Sequence, residues 1–274
     1  MSQYAFLRQQ IASGIRSFPL IVCRDHSGYM LRKIFGEDLP PALSLLHLPL
    51  RLVFSIAVRK QANKYETLAP TPLVSVIRED FNYKFNPRNI DPKSRLNFYV
   101  GGWHSERYFP AVLNELRVTY KFPEPSDLVN MRTLTELSGC ESVAVHVRRG
   151  DYLNPENRPR FAGVCGPDYY TSAIRLLETK LPHPKFYVFS DDIAWVKKTL
   201  AIPKATYVCH NALDDSWRDM HLMSTCKHQI IANSTFSWWA AWLNPNPEKI
   251  VICPNRFTSD VDSVDIFPEA WIRI

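Results

Sequence analysis

Hydrophobic and polar positions follow two different patterns along the chain. From about residue 142 onward, short β-branched and aromatic runs alternate with stretches of helical spacing. Runs at 142–148 (SVAVHVR), 185–190 (KFYVFS), 205–209 (ATYVC), 228–232 (HQIIA) and 249–253 (KIVIC) predict five strands. Apolar residues at helical spacing predict helices over 167–181, 192–200, 217–226 and 235–243. Continuous apolar strands separated by helices predict an α/β fold with a parallel, doubly wound, Rossmann-like sheet. Ligands of such sheets sit beyond the carboxyl ends of the strands. The chemistry is therefore expected just after Val147, Phe189 and Ala232.

The first half is less regular. A helix is expected over 4–15, a short strand over 18–23, and helical stretches to about residue 64, followed by turn-rich sequence with short extended runs over 68–110. Pro123 and Pro125 punctuate a boundary, and the expected division is a domain at 1–130 and a second at 131–274. Residues 42–58 (ALSLLHLPLRLVFSIAV) are mostly apolar, but His47, Pro49 and Arg51 interrupt them. That falls short of the roughly 20 apolar residues a spanning helix needs. Two readings stay open for 42–64: a core helix, or a basic amphipathic segment lying on an anionic bilayer. The second would make the protein peripheral at the inner membrane face. With no charged-then-apolar leader after Met1, the expected location is cytoplasmic.

Composition narrows the function. The 274 residues are 46% hydrophobic and 12% aromatic, which suits a folded chain with a sizeable core. None of the nine glycines forms a dinucleotide fingerprint or a P-loop. The six cysteines are scattered without a C-x-x-C pair, so buried free thiols in a reducing compartment are expected rather than a zinc ribbon or disulfide framework. The net charge of +6 is one-sided: residues 1–140 carry 18 basic and 12 acidic side chains, and residues 141–274 carry 15 of each. The surplus lies away from the strand-end motifs, and no nucleic-acid signature accompanies it, so a nucleic-acid partner is not expected.

Three strand ends carry candidate chemistry. The first is His146-Val147-Arg148-Arg149-Gly150-Asp151-Tyr152. Adjacent guanidinium groups cannot be desolvated unpaired, so they face an anion, an aspartate or solvent. Their planar forks suit phosphate oxygens, and an Arg–Asp ion pair closing the loop is the plainer alternative. The second is Ser190-Asp191-Asp192, whose carboxylates can accept hydrogen bonds from guanine or cap the next helix. The third is Asn233-Ser234-Thr235-Phe236-Ser237, where a strand opens into a helix and offers free N–H groups to an anion. The tryptophans that follow (Trp238, Trp239, Trp242) read as core packing, and the D-x-D of Asp260–Asp262 as surface loop.

Together these blocks resemble the bacterial α-1,2-fucosyltransferases of glycosyltransferase family eleven. The resemblance rests on VHVRRGDY (145–152), FYVFSDD (186–192) and DMHLMSTCKHQIIANSTFSWWAAWLN (219–244), with weaker agreement at GGWHSERYF (101–109). It implies a GT-B-like two-domain glycosyltransferase that moves L-fucose from GDP-fucose to the 2-hydroxyl of a galactose-terminated glycan. Inversion and independence of any metal or cofactor are implied with it, GDP-fucose being a substrate. Oligomeric state is left open.

By position, Arg148 resembles the β-phosphate ligand and Arg149 its support, with His146 orienting the site or touching the nucleotide. Asp191 and Asp192, after Ser190, are similar to the guanine-reading acidic pair. Ser234, Thr235, Phe236 and Ser237, with Asn233 before them, match the loop that cradles phosphates and ribose. Asp151 is the nearest candidate for the general base, an ion pair with its arginine neighbours being an equal alternative for it, and Glu156 is a second candidate. One departure stands out: Gln3-Tyr4-Ala5 matches only the tail of the family's opening glycine-rich motif. The expectation drawn from this is a start placed too late. An N-terminally truncated, inactive relative that binds GDP or glycan is the alternative.

Overall fold

The computed structural model describes residues 1–20, 30–39, 44–59, 70–80 and 82–274. They divide into two compact units, Met1–Lys121 and Phe122–Ile274.

The first unit holds α1 (Ser2–Ala12), α2 (Leu31–Phe35), α3 (Ser44–Arg59), β1 (Val74–Arg78), β2 (Leu96–Val100) and α4 (Leu113–Thr119). The strands pair in parallel, with Val76 opposite Phe98. One face of α3 covers them: Leu50, Val53, Phe54 and Val58 pack on a cluster centred on Ala57, Val76 and Phe98. The helix expected over 4–15 stops at Ala12, where Gly14 turns the chain at φ 78°. Of the strand expected over 18–23, residues 21–23 lie outside the described residues, and 18–20 are not in a strand.

A second knot in this unit is polar. Glu79, just past β1, has a side chain only 5% exposed. Its carboxylate accepts backbone N–H bonds from Gly102 (2.9 Å), Trp103 (2.9 Å) and His104 (2.7 Å), and meets His104 Nδ1 at 3.0 Å. This holds Trp103 at a left-handed φ of 54° and lays its ring against Phe6, 4.0 Å between centroids and nearly coplanar.

The second unit holds α5 (Leu128–Ser138), β3 (Ser142–Val147), α6 (Arg158–Phe161), α7 (Pro167–Lys180), β4 (Lys185–Ser190), α8 (Ile193–Thr199), β5 (Thr206–Val208), α9 (Trp217–Thr225), β6 (His228–Ile230), α10 (Thr235–Leu243), β7 (Val251–Cys253) and β8 (Ile272–Arg273). All five expected strands are present, and β8 joins them at the edge. The six pair in parallel in the order β5-β4-β3-β6-β7-β8. The strand order reverses between β3 and β6, and at such a switch point the strand ends leave a crevice.

β3 is buried along its whole length. Val143, Val145 and Val147 meet Tyr170, Ala173 and Leu177 of α7 and Val196 of α8. α7 begins on Pro167, whose missing N–H costs nothing in a first turn, with Asp168 at that end and Lys180 at the other. The unit begins at residue 122 rather than 131, because α5 packs on α9 and its Asn130 exchanges hydrogen bonds with Asn211.

Trp238, Trp239 and Trp242 are core residues at 2–3% exposure, and Trp238 donates to the Ile266 carbonyl at 2.7 Å. Among the described cysteines, all free, Cys226 and Cys253 are buried and Cys140 and Cys165 half-buried. Cys209 is exposed, against the expectation of burial. No helix among the described residues is long and apolar enough to cross a membrane.

Glu79→Ala should destabilise the protein by about 3–5 kcal/mol, because it strands buried N–H donors. Burial pulls the Glu79 pKa upward, but the His104 ring and the N–H groups of His104 and Trp103 outweigh it and hold the carboxyl below its usual range. The parent's advantage over the variant should therefore be full at neutral pH and fall away as the pH drops through the carboxylate range. Thermal unfolding of both proteins from pH 7 to pH 3 measures this.

Candidate active site at the carboxyl edge of the sheet

β3 ends at Val147, and the next two side chains leave the core as guanidinium groups. Arg148 spans two carboxylates, with Nη2 2.6 Å from Asp151 and Nη1 2.8 Å from Asp191. Arg149 Nε donates to Asp192 at 3.0 Å, and its guanidinium lies 3.9 Å over the Trp195 ring. The Arg149 backbone N–H donates to Asp191 at 2.9 Å. Gly150 makes this approach possible, since a Cβ there would lie 2.6 Å from the Asp191 carboxylate.

β4 delivers the acidic side of the cluster. Ser190 Oγ accepts from the Asp192 N–H at 3.0 Å. Asp192 caps α8 by accepting from the Trp195 N–H at 3.0 Å. That N–H foremost, and then Arg149, hold the Asp192 carboxyl below the usual range. The structure thus brings Arg148, Arg149, Asp151, Asp191 and Asp192 together as an ion-pair network. The half-exposed carboxylates expected to face guanine are engaged by arginine here.

The remaining expected residues fall into distinct places. His146 is only 5% exposed, its Nδ1 makes no hydrogen bond, and its ring lies 5.6 Å from that of Phe236. Burial, and then the Arg148 charge, push its pKa down to about 3, so the imidazole is neutral at physiological pH. Asn233 is 2% exposed, and its amide donates to the carbonyls of Phe161 (3.1 Å) and Phe257 (2.9 Å). It fastens two loops together. Ser234 caps α10, accepting from the Phe236 N–H at 3.3 Å. Ser237 is fully buried and turns its hydroxyl to the Ala232 and Ser234 carbonyls. Thr235 is exposed and Phe236 half-buried. Asp260 and Asp262 are exposed, and Asp260 lies 3.7 Å from Arg160.

Three aromatic residues belong to this site without having been assigned to it from sequence. Tyr152, Phe161 and Trp195 line a cleft beside Arg148 and Arg149. Tyr152 donates to the Asn233 carbonyl at 2.7 Å and stacks on Phe161 at 5.0 Å. Its place inside the arginine motif was a signal. Trp195, one helical turn past the Asp192 cap, and Phe161 carried none.

A second polar network lies past β5, in the same unit. Asp127 caps α5 and is paired with Arg218. Asn130 and Asn211 exchange side-chain hydrogen bonds, and Asn211 also donates to Asp219 at 2.8 Å. Burial raises the Asp219 pKa to about 6, partly offset by the Asn211 bond.

Comparison with known proteins adds the following. The model of the family described as Glycosyl transferase family 11 matches residues 84–274. The O-antigen biosynthesis glycosyltransferase WbnK of Escherichia coli is 40% identical over 139 residues, covering 49% of this chain and 46% of that protein. The alpha-1,2-colitosyltransferase of Escherichia coli is 36% identical over 182 residues, covering 64% of this chain and 62% of that protein. Human galactoside alpha-(1,2)-fucosyltransferase 1 is 34% identical over 141 residues, covering 48% of this chain and 38% of that protein. The chain spans less than two thirds of the length of these relatives. The crystal structure of NodZ alpha-1,6-fucosyltransferase soaked with GDP-fucose matches with a TM-score of 0.35 at 16% identity, over 56% of this chain and 52% of its own.

The raised Asp219 pKa has a measurable consequence. Above about pH 6 the folded protein holds a half-buried ionised carboxylate that water would solvate better. Below the ordinary carboxyl range it is protonated in both folded and unfolded chains, and the penalty vanishes. Asp219→Asn, which keeps an acceptor for Asn211, should raise stability by about 1–3 kcal/mol at pH 7.5. Its advantage should disappear below about pH 4, as followed by thermal unfolding across that range.

Proposed function

The chain belongs to glycosyl transferase family 11, and on that premise we propose that it is a galactoside 2-α-L-fucosyltransferase. It transfers L-fucose from GDP-β-L-fucose to the 2-hydroxyl of a terminal β-galactoside, inverting the anomeric centre without a metal ion. Its two units are the halves of a GT-B enzyme, and the second, doubly wound and Rossmann-like, takes the donor. The observation that carries this is the pair Arg148 and Arg149 at the switch point of a parallel sheet.

Glycosyl transfer passes through an oxocarbenium-like state in which charge accumulates on the departing diphosphate. Pre-aimed donors stabilise that charge, typically by about 3 kcal/mol each. Arg148 is the donor placed to do so, since its ion pairs are about one third exposed and open to exchange. Arg149 is the anchor, backed by Trp195 and Asp192. Asp191 and Asp192 act mainly by aiming the arginines, because both already accept hydrogen bonds from them or from the Arg149 backbone. The first N–H groups of α10, after the Ser234 cap, face the phosphates and ribose together with Thr235.

Inversion needs a base for the acceptor hydroxyl. Asp151 is the candidate: when the diphosphate takes over Arg148, its carboxylate is released. It accepts the proton as the acceptor oxygen bonds to the anomeric carbon and GDP leaves. His146, buried and neutral, supports the site from below and is not the base.

The test is incubation with GDP-fucose and lactose, following GDP release and fucosylated product. A colitosyl donor is assayed beside it, because one relative is named for colitosyl transfer. Absence of transfer from either donor, with GDP still bound in calorimetry, would favour the non-catalytic relative over the enzyme. Arg148→Ala should lower kcat by about 10²–10³-fold while the fold is retained, as circular dichroism would show, and Arg148→Lys should recover only part of the loss.

A further inference from the structure

We propose that α3 is a membrane-docking element that lays its outer face on an anionic lipid bilayer. The inference is independent of the glycosyl-transfer reading.

α3 is apolar on two opposite sides. Leu50, Val53, Phe54, Ala57 and Val58 pack on β1 and β2 within the first unit. The other side presents Leu48 at 76% exposure, Leu52 at 63% and Ile56 at 48%. These residues are four apart, so they form one stripe along the helix. Isolated exposed leucines need no explanation, but an aligned stripe opposite a face already buried in the core does. At 16 residues the helix is about 24 Å long, enough to lie along a surface rather than cross a membrane.

Charge identifies the occupant. Between Leu39 and Glu66 the sequence contains no acidic residue, while Arg51, Arg59, Lys60 and Lys64 are basic. Arg51 lies on the exposed side of the helix, beside the stripe. A second copy of this chain seated on the face would bring like charges together. An anionic bilayer suits both features at once: the leucines and the isoleucine enter the boundary between headgroups and acyl chains, and a stretch of sequence with basic and no acidic residues is attracted to anionic headgroups. Stable attachment of a peripheral protein needs two such signals, and each alone is marginal.

The experiment is co-sedimentation of the full chain with vesicles of phosphatidylcholine alone, or with about one third phosphatidylglycerol. Binding is expected on the anionic vesicles, at least about tenfold weaker on the neutral ones, and weakened by high salt. The double variant Leu52→Glu/Ile56→Glu should bind anionic vesicles at least about tenfold less while keeping the parent's unfolding temperature. Both side chains are largely solvent-exposed, so the fold does not depend on them.

The proposal is overturned if the parent stays in the supernatant with anionic vesicles, or if the folded double variant binds them as the parent does. It is also overturned if light scattering finds a dimer that the double variant abolishes, since the stripe would then be occupied by a second copy. Vesicle binding needs neither donor nor acceptor, so its failure leaves the catalytic reading standing, and the reverse holds equally.

Discussion

Two guanidinium groups at the end of one buried strand set the arrangement of the sheet's carboxyl edge. β3 is enclosed by β4 and β6 and by helices, and the partly exposed cations that follow it are each paired within 3 Å. The compensation comes from the neighbouring strand end, where Asp191 and Asp192 follow β4, and from Asp151 three residues past Arg148. Parallel pairing of β3 with β4, with Val147 opposite Ser190, brings these groups to the same level. The register that buries Val143, Val145 and Val147 therefore also aligns the charges.

The frame around this cluster is tied down by neutral groups. Tyr169 and Tyr170, in the first turn of α7, donate to the carbonyls of Ile231 at 2.6 Å and His146 at 3.1 Å. Burial pushes both phenols far above their usual pKa, so they stay protonated donors at any physiological pH. Tyr152 and Asn233 extend the ties to the loops carrying Phe161 and Phe257. Strand-end carbonyls left bare by the end of a ladder are thus satisfied without a charge being spent on them. The aspartates remain for the arginines.

How much was legible follows from where the information resides. Parallel strands covered on both faces become unbroken apolar runs, and all five such runs in the second half were readable. β8 was not, since two residues at a sheet edge leave no periodic trace. The first unit was largely opaque because its order comes from contacts distant in sequence. Glu79 gathers the amides of residues 102–104, and Phe6 stacks on Trp103. At the site, the arginine pair was readable from the cost of burying it, but the partners were not. Asp191 and Asp192 announced an acidic strand end that suited guanine equally well, and only the register turns them toward arginine. Asn233 and Ser237, grouped with the ligand loop by position, spend their polar atoms on the protein itself.

The balance of charge at the cluster constrains how any anion enters it. Two arginines face three aspartates, and residues 141–274 are neutral as a whole, so the cluster itself carries no surplus of positive charge. For the diphosphate of the proposed donor, entry would proceed by exchange, with phosphate oxygens replacing carboxylate oxygens on a guanidinium. Exchange is affordable only where the existing pairs are shallow. Partly exposed ion pairs contribute about 0–1 kcal/mol each, whereas breaking a buried pair costs about 3–5 kcal/mol. Arg148, with 35% of its side chain exposed, lies on the shallow side of that divide. Arg149, at 23% and stacked on Trp195, is held more firmly. Under the proposed donor reading, the two neighbours in one motif would divide the work: one arginine would change partners, and the other would keep the strand end in place.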